Sequence, residues 1–142
     1  MRIRLALACL AALALAGCDH PTAPPSGLEA HLTEQVVSGG VAPVPTAVVA
    51  DGDSVVATAN LGLACAHYSA SAGHLDGVLV ITLTAAEGDF LCPAWIVSAN
   101  FRVVVRPVRR GRHEVRFLVR YLDPAGETRH RVGLVRTQVE VP

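Results

Sequence analysis

The sequence predicts an all-β fold: a two-layer antiparallel β-sandwich of seven or eight strands, with a small closed barrel as the rival arrangement. Three observations carry this. Apolar residues make up 51% of the 142-residue chain, mostly as Val and Ala, with aromatics at only 4%. A Val-rich chain punctuated by Gly and Pro suits half-buried strands. Apolar and polar residues alternate with period two through much of the chain. Turn signals recur about every 8–12 residues, the spacing of a sandwich of short strands. The length is enough for one domain.

The chain opens with an address rather than a fold. Arg2 and Arg4 form a positive start, and Leu5 to Ala16 is an apolar run of 12 residues, too short to span a bilayer as a helix. Leu15-Ala16-Gly17-Cys18 follows directly. This motif resembles the lipobox of bacterial lipoproteins, in which small residues precede a cysteine. The resemblance covers residues 1–18 and implies cleavage after Gly17, lipidation of Cys18 and a place in the bacterial cell envelope, facing the periplasm or the cell surface. An ordinary secretory signal is the alternative. The expected division is 1–17 signal peptide, 18–27 lipidated Cys and Pro-rich tether, and 28–142 β-sandwich domain. Pro21, Pro24 and Pro25 stiffen the tether. Several buried acyl chains hold a protein to lipid far better than one, because each methylene contributes about 0.8 kcal/mol.

Leu28, Ala30 and Leu32 alternate with Glu29, His31 and Thr33, the pattern of an edge strand, with a helical turn as the alternative. Pro43 and Pro45 keep the following segment out of any central strand. Thr46 to Ala50 and Ser54 to Leu63 read as strands joined around Asp51-Gly52. The apolar phase is odd up to Cys65 and even from Tyr68 onward, so the chain should bend near Ala64 to Ala66 and pass from one sheet to the other. Between Cys65 and Cys92 lies a hairpin turning on Asp76-Gly77, the residues a type I′ turn needs. That turn fixes the register: Leu75 with Val78, His74 with Leu79, Ala72 with Ile81, Ala70 with Leu83, Tyr68 with Ala85. Tyr68, Ala70, Ala72, Leu79, Ile81 and Leu83 then share one face. Cys65 falls opposite Gly88, four residues from Cys92, so a short bend would bring the sulfurs together.

Trp95 and Ile96 read as core. Phe101, Val103 and Val105 alternate against Arg102, Val104 and Arg106; Val115, Phe117, Val119 and Tyr121 alternate against Glu114, Arg116, Leu118 and Arg120. Arg109-Arg110-Gly111 suits a three-residue hairpin loop with Gly111 left-handed, which would oppose Arg106 to Glu114; a sheet-to-sheet arch is the alternative. Asp123-Pro124-Ala125-Gly126 is a turn, and Arg129 to Val141 is the last strand, with Val135, Thr137, Val139 and Val141 inward. The segment from Phe101 to Val119 resembles the late strands of immunoglobulin-like domains. Residues 46–142 as a whole resemble the small β-sandwich lipoproteins of bacterial genomes, most without assigned function.

Once Cys18 carries lipid, Cys65 and Cys92 remain as an even pair in an oxidising compartment, which predicts a disulfide. Closing a ring of this size stabilises by roughly 3.5 kcal/mol in the loop-entropy model. A metal site from Cys65, His67, His74 and Cys92 is the competing reading; the hairpin register sends His67 and His74 to opposite faces, and Cys-x-His is not a zinc spacing. Asp51-Gly52-Asp53 reads as a turn rather than a calcium site. No cofactor motif, phosphate loop, Gly-x-Ser-x-Gly or converging carboxylate pair is present, so no catalytic residue and no enzyme activity are expected.

Charge is uneven. From Cys18 to Phe101 there are eight acids and no Arg; from Arg102 to the end there are ten Arg and four acids, and Lys is absent. The halves therefore carry about −8 and +6. Arg102, Arg106, Arg116 and Arg120 point outward together in the expected register and would form one anion-binding face. The favoured reading is that acidic and basic strands lie side by side and pair locally; the anion-binding face is the alternative. No aromatic platform accompanies the Arg residues, which excludes a nucleic-acid interface. The expected function is that of a lipid-anchored envelope protein presenting a non-catalytic sandwich for binding or structural work. The partners would be the membrane, through the lipid, and an envelope protein or an anionic polysaccharide. The alternative is an inhibitor or accessory subunit of a periplasmic enzyme.

Overall fold

Alternation with period two builds eight strands: β1 (Glu29–Val36), β2 (Ala47–Asp51), β3 (Ser54–Leu61), β4 (Ala66–Leu75), β5 (Val78–Glu87), β6 (Ala99–Arg106), β7 (Gly111–Leu122) and β8 (Thr128–Val141). The computed structural model describes residues 27–37, 41–62, 66–87 and 98–142. Cys18, Cys65, Cys92, Trp95 and Ile96, with the leader and nearly all of the tether, lie outside the described residues.

The strands form two sheets of four, ordered β1-β6-β3-β2 and β4-β5-β7-β8. At the sandwich rims β1 approaches β4 and β2 approaches β8, yet no ladder joins them. The molecule is thus a two-layer sandwich and not a closed barrel. Its core comes from the inner faces of the four central strands. Val55, Ala57 and Ala59 of β3, Leu79, Ile81 and Leu83 of β5, Phe101, Val103 and Val105 of β6, and Val115, Phe117 and Val119 of β7 are all fully buried. Each large apolar side chain buried in this way stabilises by roughly 1.5–3 kcal/mol. Tyr68 of β4 closes one side, its ring 4.5 Å from that of Phe101.

The β4–β5 hairpin has the expected register along its whole length, from Leu75–Val78 to Ala66–Glu87. Its turn residues Asp76 and Gly77 have φ of 52° and 79°, as a type I′ turn requires. Ala66 and Glu87, from which the chain continues toward Cys65 and Cys92, are cross-strand partners. The crossing between sheets before Tyr68 also holds, since β3 and β4 belong to different sheets. β1 is an edge strand, with Leu28, Ala30 and Leu32 packed on the rim of the core. The β2–β3 turn is one residue later than expected, at Gly52-Asp53, because Asp51 pairs with Ser54. The Asp123 turn is held by its own side chain, whose Oδ1 accepts the N–H of Ala125 at 3.0 Å and of Glu127 at 2.9 Å.

Two expectations are corrected. First, β6 and β7 are not a hairpin: β6 lies in one sheet and β7 in the other, so residues 107–110 form the arch, with a cis Arg106–Pro107 bond. Arg106 therefore faces Glu29 rather than Glu114, and Glu114 faces Gln138. Gly111 has a positive φ of 115°, which an arch uses as readily as a hairpin loop. The Phe101 to Val119 segment that resembles late immunoglobulin strands is accordingly divided between the two sheets, and β7 pairs with β8 instead. Second, the sandwich is not antiparallel throughout, because β5 and β7 are parallel. The arch is the cause. The chain leaves β5, crosses to the other sheet as β6, and returns as β7 running in the direction of β5.

The link from β1 to β2 crosses the outer surface of its own sheet. Asn100 secures it: its Oδ1 accepts the Val44 N–H at 2.9 Å, and its Nδ2 donates to the Ala42 carbonyl at 2.8 Å. Asn60, opposite Asn100 in register, donates to the same Oδ1 at 2.9 Å. Asn100 is a buried polar group with its hydrogen bonds made.

The turn geometry is testable. Gly77→Ala should lower stability by about 1–2 kcal/mol, since a Cβ at positive φ meets the following carbonyl. Gly133 has no positive φ, and a Cβ there would have no neighbour within 4 Å. Gly133→Ala should stay within about 0.5 kcal/mol. Denaturant unfolding of the two variants checks the contrast.

Candidate anion-binding face

β7 lies between β5 and β8, and its outward residues Arg116, Leu118 and Arg120 stand in three cross-strand rows. Val80, Arg116 and Arg136 form one row, Thr82, Leu118 and Gly133 the next, and Thr84, Arg120 and Arg131 the third. The rows enclose a trough of about 280 Å³ with Val80, Thr82 and Leu118 among its lining and Arg116, Arg120 and Arg131 around it. A second depression of about 360 Å³ shares Arg116 and Leu118 and runs toward β8 beside Gly133 and Arg136. Gly133 contributes no side chain there, and so leaves the space open.

Two of the cross-strand pairs in these rows join like charges: Arg116 faces Arg136, and Arg120 faces Arg131. Such pairing is destabilising unless something neutralises it. Glu114 does so for the first pair. Its Oε1 accepts from Arg136 Nε at 2.8 Å and lies 3.6 Å from an Arg116 terminal nitrogen. No acid does so for the second pair among the described residues. Arg120 instead lies over Thr84, donating to its Oγ1 at 3.3 Å. That cover explains why Thr84 is only 6% exposed although it points away from the core. The Arg120 Nε is itself buried and has no hydrogen-bond partner, a state that costs about 1–3 kcal/mol.

The face differs from the expected one. Arg102 and Arg106 project from β6 on the outside of one sheet, and Arg116 and Arg120 from β7 on the outside of the other. The structure therefore splits the four, two to each outer surface of the sandwich, because the arch moves β7 into the second sheet. Arg131 and Arg136 of β8 join Arg116 and Arg120 instead. Arg131 escapes odd–even counting because β8 shifts register between the partners of Phe117 and Leu118. This bulge turns Arg131 to the outside, and the break in alternation at Gly133-Leu134 is its only trace in the sequence.

Among the described residues, one ion pair joins the acidic and basic halves of the chain. Arg129 and Glu87, at 2.7 Å, join the halves, whereas Arg112–Glu140 and the Glu114 pairs lie within the basic half. Among the described histidines, the His74 and His113 ring centroids come within 6.5 Å of each other. His31 sits 3.3 Å from Glu29, His113 Nε2 is 2.6 Å from the Arg109 carbonyl, and His130 stacks on Tyr121 at 4.4 Å. Among the described residues, no cluster of three or more His, Cys, Asp or Glu could hold a metal ion. Nor is any helix there long and apolar enough to cross a membrane.

What the trough offers is hydrogen-bond donors and fixed positive charge around a small apolar floor. None of its lining residues is a carboxylate, histidine or cysteine. This is chemistry for holding an anion, for which the Arg fork is well shaped.

Arg120→Met should keep the apolar stem while removing the stranded Nε. The variant should unfold within about 1 kcal/mol of the parent, or later, because the lost Thr84 bond is offset by the relieved donor. A loss above about 2 kcal/mol in denaturant unfolding would assign the guanidinium to holding the sheet. No family model, curated protein or solved structure matches the chain, so the chemistry of this face is what bears on its function.

Proposed function

We propose that the chain is a non-catalytic binding protein of the bacterial cell envelope, held by lipid at Cys18, with Cys65 and Cys92 bridged, and that its β5–β7–β8 face takes an anionic polysaccharide. The observation that carries the ligand class is the Arg120–Arg131 pair: two cations opposed on neighbouring strands, with no acid between them among the described residues. A carboxylate or sulfate placed there would neutralise both. The neighbouring hydroxyls favour a sugar polymer over an acidic protein surface. Thr82 lines the trough, and Ser69 and Ser71 of β4 lie opposite Thr84 and Thr82, so donors and acceptors for sugar hydroxyls flank the charge. The anchor rests on the lipobox resemblance at residues 15–18, and the proline-bearing tether leads from it to β1.

The full chain should bind a polyuronate or sulfated-polysaccharide matrix and elute with salt. Replacing both Arg120 and Arg131 by Ala should weaken binding about tenfold or more, since each removes a charge-assisted contact. Replacing both Arg102 and Arg106 by Ala should leave binding close to the parent's. Equal loss in the two double variants would show unspecific attraction to net charge. Stronger retention on polyglutamate than on the polysaccharide would redirect the reading to an acidic protein partner.

The anchor has a separate check. Cys18→Ser should abolish acylation and move the protein from the membrane fraction to the soluble fraction. Unchanged fractionation would remove the lipid from the proposal and leave the trough untouched.

A further inference from the structure

Edge strands expose unpaired N–H and C=O groups, and proteins guard them with charge, proline, bulges or shortness. Three of the four edges here are guarded. β1 carries Glu29 and Glu34. β2 has five residues and follows Pro43 and Pro45. β8 carries Arg129, Arg131 and Arg136 and is broken by two register shifts.

β4 has none of these devices. It is ten residues long, contains no Pro, Asp, Glu, Lys or Arg, and pairs with β5 without a bulge. The two-residue turn makes Leu75–Val78 a hydrogen-bonded pair, so bonding alternates back along the strand. Ser69, Ser71 and Gly73 face β5 with their backbone groups, while those of Ala70, Ala72 and His74 point away from β5, to the side where no described strand pairs with β4. β1 approaches from the facing sheet but forms no ladder with β4.

We infer that β4 pairs with β4 of a second copy of this chain, antiparallel, about a twofold axis at Ser71. The strand is complementary to itself. With Ser71 opposite its counterpart, Ala70 meets the partner's Ala72 and exchanges two backbone hydrogen bonds with it, and Ser69 meets the partner's Gly73. From Ser69 to Gly73 no bulky or like-charged side chains oppose one another; beyond that stretch Tyr68 meets the partner's His74 and His67 the partner's Leu75. An unrelated strand finds no selectivity here, because specificity in strand addition comes from side-chain pockets and β4 presents only Ser, Ala and Gly along this stretch. A strand that is itself small, flat and uncharged is the best match, and β4 is such a strand.

Sedimentation of the full chain in detergent should show a dimer. Ser71 is exposed, so Ser71→Lys should match the parent's unfolding midpoint at concentrations where both are monomeric and associate at least about tenfold more weakly, since it sets two like charges face to face. Ser71→Cys should form a disulfide-linked dimer on oxidation, because residues opposed at a non-hydrogen-bonded position have Cα atoms about 4.5 Å apart, within bonding range. A wild type that stays monomeric at the highest attainable concentration overturns the inference. So does a dimer that survives Ser71→Lys while Ser71→Cys remains unlinked.

Discussion

Val108 fixes the path of the chain at its most consequential point. Its side chain is 4% exposed, within the core, and its N–H donates to the Asp53 carbonyl at 2.8 Å. The arch between β6 and β7 is thereby pinned to the turn between β2 and β3, and the chain is committed to leaving one sheet for the other. The parallel β5–β7 pair, the β7–β8 ladder beyond it, and the position of β4 as an outer strand all follow. Had β7 folded back on β6 within one sheet, the outward Arg of both strands would share a surface. The arch turns a single basic stretch of sequence into two separate surfaces, and only one of them acquires the second Arg row from β8.

The parts of this arrangement written in short-range sequence were legible. Asp76-Gly77 admits few turns, so the hairpin register follows from two residues and the alternation beside them. The inward sets of β6 and β7 were equally plain, because Phe101, Val103 and Val105, like Val115, Phe117 and Val119, leave no second way to bury the strand. The arch was not legible. Arg109-Arg110-Gly111 satisfies the local needs of a hairpin loop and of an arch alike, and the choice depends on Val108 finding its place in the core next to Asp53. That contact spans more than fifty residues of chain. The outward turn of Arg131 was hidden for a related reason: a bulge is set by what the neighbouring strand packs against, and period-two counting assumes there is none.

On the proposed anion-binding face, stability and binding would pull in opposite directions. The ladder would be more stable with an acid opposite each Arg, as Glu114 shows beside Arg116 and Arg136. Among the described residues the chain has such an acid at one row and none at the row of Arg120 and Arg131. An acid built in at the second row would fill the charge deficit permanently and close the surface to any outside anion.

The two surfaces also bear on each other through geometry. A twofold axis between antiparallel strands in one sheet stands perpendicular to that sheet, so pairing through β4 keeps the outer faces of both copies on the same side. Five strand spacings then separate β7 from the partner's β7, roughly 24 Å at the usual spacing between strands. A polymer carrying repeated acidic groups could engage both Arg pairs at once, and the second contact would form at the high effective concentration that a fixed separation provides. A small anion would gain nothing from the pairing. If both proposals hold, the flat β4 edge and the Arg120–Arg131 row, which look unrelated in the sequence, would favour the same kind of ligand: long, flexible and repeatedly charged.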